Sequence, residues 1–183
     1  MNRLFYNDDI LIQYEQQEMW EESVTYLAKL LHSDPQNKNV LYRLAAQCWY
    51  VLTFWDCNMP KESLHRNFFE SNLKSVYLLA REQWWSDPDC LWLFGYFMSI
   101  NQLDFLFVSA DIRDVEKVGC NLIHQSILID PNNKPAQILY LADNAGKHKY
   151  INAKKKMKES ISALFPGEPE VDKYFAEVFT CVC

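Results

Sequence analysis

A helical metal site or catalytic pair places its groups about one turn apart, and the histidines of this chain do not meet that requirement. His32, His65, His124 and His148 are widely separated, and none has a second histidine one turn away. The six cysteines are Cys48, Cys57, Cys90, Cys120, Cys181 and Cys183. Cys181 and Cys183 are too closely spaced for an ordinary zinc pair, and no matching pair exists elsewhere. Cys48, Cys90 and Cys120 lie in apolar, helix-periodic runs and read as small core residues. The chain has no P-loop lysine motif, no GxGxxG after a strand, no HExxH helix and no GxSxG elbow. The expectation is a protein with no catalytic residues, no metal and no cofactor, hence not an enzyme.

Carboxylates are the most abundant reactive groups, and their placement is uneven. Between Leu4 and Ala28 stand Asp8, Asp9, Glu15, Glu18, Glu21 and Glu22 with no Lys or Arg among them. Between Trp84 and Glu116 stand Asp87, Asp89, Asp104, Asp111, Asp114 and Glu116, opposed only by Arg113. Helix capping and the helix dipole account for Asp87, Asp89, Asp111 and Asp114. Taken together, Glu15, Glu18, Glu21, Glu22, Asp87, Asp89, Asp104, Asp111 and Asp114 are the candidate docking acids. Such a surface speeds encounter with a basic partner and helps select it. Aromatic residues cluster beside the second stretch. Trp55, Trp84, Trp85, Trp92 and Tyr96 are the candidate interface anchors, with hairpin core packing as the competing reading. Lys147, Lys149, Lys154, Lys155, Lys156 and Lys158 crowd one late helix, which reads as a solvated face.

The elements that would position these residues are helical. Only four glycines occur in 183 residues, and long windows are rich in Leu, Ala, Glu, Gln and Lys. The periodicity predicts helices over 8–16, 18–32 and 39–55. A long helix follows, opened by Pro60 and reaching Trp85. Further helices are expected over 89–101, 112–129, 134–144, 147–164 and 170–179. Residues 103–110 are apolar and ambiguous, and no strand alternation is evident. The expectation is a single all-α domain over residues 1–183, with about eight or nine helices.

Three turns repeat a theme. Ser33-Asp34-Pro35, Ser86-Asp87-Pro88 and Ile129-Asp130-Pro131 each end one apolar helical run, and another follows within a few residues. Asp is expected to cap the new helix, with Pro in its first turn. Gly119, Ile123, Ser126 and Pro131 then follow the small, large, small, proline spacing of the tetratricopeptide repeat. Ser23, Leu27, Leu30 and Pro35 follow it more loosely. Tyr14 stands where that family has a first-helix aromatic, and Phe94-Gly95 is similar to its large-small pair. The chain therefore resembles a degenerate TPR, which implies an array of antiparallel helical hairpins that binds protein. The prolines fall about 53 and 43 residues apart, against roughly 34 in the family, so the repeat is irregular.

The formal net charge of -6 speaks against nucleic-acid binding, where affinity comes from neutralising phosphates. No apolar run reaches membrane-spanning length, and no leader precedes the first helix, so a cytoplasmic site with reduced thiols is expected. No small-molecule site is anticipated. A small, acidic, aromatic-rich domain without chemistry resembles bacterial immunity proteins, which neutralise a cognate toxin. Many such toxins are basic nucleases. The alternative is a TPR-like adaptor or chaperone that grips an extended peptide. An enzyme without a recognisable motif ranks third.

Overall fold

A computed structural model describes residues 3–57, 59, 64–167 and 169–181. Every regular element among them is helical: α1 (Asp9–Gln16), α2 (Trp20–Ser33), α3 (Lys38–Thr53), α4 (Arg66–Gln83), α5 (Pro88–Ile100), α6 (Ile112–Ile129), α7 (Lys134–Asn144), α8 (Lys147–Leu164) and α9 (Glu170–Thr180). The ambiguous stretch after α5 forms a short 3-10 turn, Gln102–Phe105, which buries Phe105 and leaves Leu103 exposed.

Local chemistry sets most boundaries. Asp8 caps α1 by accepting from the Leu11 N–H, Asp87 caps α5 through Asp89 N–H, and Asp111 caps α6 through Arg113 N–H. Two of the three repeated turns depart from expectation. Asp34 and Asp130 end the preceding helices, while Asn37 and Asn133 cap α3 and α7. In both turns the asparagine lies three residues past the Asp. Its side chain satisfies a first-turn N–H that the Asp is too far back to reach.

Two helix starts also shift. Glu18 adopts φ 56° and turns the chain between α1 and α2, so the second helix begins at Trp20 rather than Glu18. The expected opening at Pro60 lies outside the described residues. Leu64 and His65 are not helical, and α4 begins at Arg66. The His65 backbone N–H is drawn out to the Glu21 carboxylate of α2 at 2.6 Å, which holds this residue extended.

Helices α5 and α6 make the tightest contact. Ser126 of α6 donates its hydroxyl to the Pro88 carbonyl at 2.8 Å, and Gly95 faces Gly119, so the two run antiparallel. A Cβ on Gly95 would meet the Gly119 carbonyl at 2.7 Å, and one on Gly119 would meet the Gly95 carbonyl at 2.8 Å. Glycine is required here for close backbone approach.

The core is aromatic. Trp49 of α3 stacks on Phe97 of α5, with centroids 4.7 Å apart. α9 lies over both helices: the Phe175 ring is 6.3 Å from Trp49, 6.4 Å from Trp92 and 5.8 Å from Tyr96. The Tyr174 and Tyr96 hydroxyls are 2.6 Å apart. The N-terminal segment closes the same region. Phe5 packs 5.2 Å from Phe175, and Asn39 donates to the Leu4 carbonyl at 2.9 Å. Cys48 and Cys90 are core residues as expected, but Cys120 is exposed. It follows Gly119, and the one-residue step of about 100° turns it away from the α5 contact.

Candidate protein-docking surface

The two acidic stretches come to different ends. In the first, Asp8 is a local organiser. Its Oδ2 accepts from the Tyr26 hydroxyl at 2.6 Å and from the Tyr6 hydroxyl at 2.8 Å. Burial alone would raise its carboxyl, but hydrogen bonds from Tyr26, Leu11 N–H and Tyr6 outweigh it and lower the pKa. The same contact with Asp8, followed by burial, pushes the Tyr26 hydroxyl upward. Tyr26 is thereby fixed against α1, where its ring meets Tyr14 edge-on at 6.2 Å.

These two rings, with Glu21, Glu22, Thr25 and Lys29, line an open pocket of about 330 Å³ on the α1–α2 face. Glu18 and Glu22 are exposed, and no cation among the described residues pairs with either. Glu21 is half-buried, and His65 Nδ1 lies 3.1 Å from its Oε1. The pocket therefore combines two rings and two carboxylates with one ammonium, Lys29, for a net charge of one negative. That combination suits a Lys or Arg side chain, whose stem packs on rings while its head meets carboxylate. Tyr14 and Tyr26 were missed as site residues by sequence reasoning. For Tyr26 the signal is its one-turn spacing from Glu22 within α2, whereas Tyr14 lies before the turn at Glu18 and no local spacing marks it.

Glu15 belongs to this stretch in sequence but not in space. It is 2% exposed and pairs with the guanidinium of Arg43, which also donates from Nη1 to Asp172 Oδ2 at 2.7 Å. Burial raises the Asp172 carboxyl, against the opposing pull of Arg43. This triad joins α1, α3 and α9 inside the molecule. Glu15 is thus withdrawn from the docking set. Its position on α1 faces the core, where Arg43 needs a countercharge.

The second acidic stretch is consumed by structure. Asp87 pairs with Lys38 at 2.7 Å while capping α5. Asp89 accepts from the Trp92 indole N–H at 3.1 Å and from Asn133 at 2.8 Å. Asp104 is buried, takes Arg66 Nη2 at 2.8 Å and Asn101 at 2.6 Å, and so ties the 3-10 turn to α4. Burial pushes its carboxyl up to about 6, against the opposing pull of Arg66. Asp111 is a cap, and Asp114 is bonded to Lys117 at 3.0 Å. Asp104 is thereby also corrected from surface to interior. Asp111 and Asp114 stay exposed.

The aromatic candidates divide similarly. Trp92 and Tyr96, expected as anchors, are inside, covered by α9. An almost wholly apolar α5 leaves no polar face to turn outward, so it is buried all round from Cys90 to Met98. Trp55, Trp84 and Trp85 are half-buried. Arg66 sits 5.7 Å over the Trp55 ring, and Trp85 packs 5.5 Å from Tyr77.

Among the described residues, no three His, Cys, Asp or Glu side chains gather as a metal-binding set. No described helix is long and apolar enough to cross a membrane. No known protein family, curated protein or solved structure matches the chain.

Proposed function

We propose that this chain is a non-catalytic protein-binding domain whose α1–α2 face docks a basic protein. In its most concrete form it is an immunity protein that neutralises a cognate basic toxin of the nuclease kind in the cytoplasm. The observation that carries the reading is the Tyr14–Tyr26 pocket, which Glu21 and Glu22 also line, with exposed Glu18 in the turn between α1 and α2. Ring faces beside carboxylates offer both an anchor and a steering field. The five described cysteines are free thiols, in keeping with a reducing compartment.

A TPR-like ancestry is supported by the Gly95–Gly119 approach and by Ser126 reaching Pro88, at the spacing of that repeat. The alternative, an adaptor that holds an extended peptide, is the weaker reading. Grooves of that kind are lined by the first helices of successive hairpins. Here the corresponding surfaces of α3 and α5 are covered by α9.

The test is association kinetics with the partner captured from the native host. The triple variant Glu18→Lys, Glu21→Lys, Glu22→Lys should associate about tenfold more slowly or worse in low salt, with the difference shrinking as salt is raised. An equal rate for wild type and variant in low salt would sink the reading.

A further inference from the structure

The lysine-rich helix α8 holds one member apart from the others. Lys147, Lys149, Lys155, Lys156 and Lys158 are exposed, whereas Lys154 is only 6% exposed. Its ammonium donates to the Cys181 carbonyl at the end of α9, 2.9 Å away, and sits 4.6 Å over the Tyr150 ring. Both neighbours carry only partial negative charge, and no described carboxylate pairs with it. An ammonium has three donors, and burying its charge without a countercharge is costly.

Lys154 also lines an open cavity of about 550 Å³ among residues of α7, α8 and α9. The walls are mainly apolar: Ala142, Ala145, Tyr150, Ile151 and Val178. That volume lies within the roughly 300–1,000 Å³ typical of small-molecule sites. Two other charged side chains reach the lining, Lys147 and Glu177. With Lys154 they leave one net positive charge, which matches a monoanion better than a phosphate dianion.

We propose that this cavity binds a small carboxylate with a hydrocarbon body, of the medium-chain fatty acid class. The head group supplies a countercharge that no described carboxylate gives Lys154, and the chain lies along Ala142, Ala145, Ile151 and Val178. A peptide C-terminus carries the same head group but brings amides that these walls leave without partners. The free carboxylate is therefore the better fit. The inference is independent of the α1–α2 face and adds a ligand where the sequence argues only for a protein partner.

Titration calorimetry of the full chain with decanoate, below its micelle concentration, tests this. Saturable one-to-one binding is expected. Decanol should bind about tenfold more weakly or worse, because it lacks the charge-assisted contact. Lys154→Met should weaken decanoate binding by a similar factor, while Lys155→Met on the same helix should leave it unchanged. Ala142 is exposed at the cavity, so Ala142→Trp should fill the space and abolish binding with the melting temperature preserved. It decides the matter should Lys154→Met fail to fold. Absence of saturable binding, equal affinity for decanol, or wild-type affinity in Ala142→Trp would overturn the proposal. Tighter binding of a short peptide with a free C-terminal carboxylate than of decanoate would overturn the choice of ligand.

Discussion

The acids of α1–α2 and those between α4 and α6 look alike as charge runs, yet the fold uses them in opposite ways. Around α2, Glu18 and Glu22 face solvent with no partner among the described residues, and Glu22 lines a pocket with two tyrosines and with Glu21, which also holds His65. Around α5, nearly every carboxylate serves the structure. Asp87 and Asp111 cap, Asp89 holds Trp92 and Asn133, and Asp104 fastens the 3-10 turn to Arg66. Local charge density therefore does not distinguish a docking face from a scaffold. Partner count does, since an acid already paired in the fold has little left to offer another protein.

The comparison breaks most sharply at Glu15. Glu15→Lys sets an ammonium against Arg43 in the core, and a loss of about 3–5 kcal/mol or failure to fold is expected in urea unfolding. A variant as stable as wild type would show that Glu15 belongs with the surface acids.

Asp104 gives the next effect, through pH. Its carboxyl is held up at about 6, above its unfolded value, so the native state binds the proton more tightly. Stability should therefore fall as pH rises from about 4 to 6 and level off above that, by on the order of 2 kcal/mol from this group. Asp104→Asn should remove that part of the slope. Parallel stability profiles for wild type and variant across this range would refute the assignment. Asp172, also raised, contributes with the same sign in both proteins, so the difference profile isolates Asp104.

Asp89→Ala should cost about 1–3 kcal/mol, since it leaves the Trp92 indole N–H and the Asn133 amide without their acceptor. Thermal unfolding checks this, and a neutral result would return Asp89 to the docking set. Glu22→Lys on the other face should change stability by no more than about 0.5 kcal/mol while slowing association with a basic partner in low salt. A large destabilisation there would erase the contrast between the two regions.

Much of the candidate site was legible as charge: Glu18, Glu21 and Glu22 are acidic, closely spaced and on a helix edge. The pocket was not, because Tyr14 and Tyr26 come from different helices and meet only through the α1–α2 turn and the hydrogen bonds at Asp8. The inward lysine of α8 was equally hidden. Lys154 has lysine neighbours on its C-terminal side, and its burial depends on α9 arriving over it.

Residue types and spacing alone determined the all-α class, the number of helices and most of their boundaries to within a residue or two, the start of α4 excepted. These follow from contacts three or four residues apart, from caps and from proline's missing donor, all written within one turn of chain. Tertiary structure alone decided which charges would be inside. Glu15 lies 28 residues from Arg43, and Asp172 lies 129 from it. A buried charge is tolerable only when its partner arrives from elsewhere in the chain. No local pattern encodes that arrival, so the roles of Glu15, Asp104, Trp92 and Lys154 became readable only when α9, α4 and α3 had found their places.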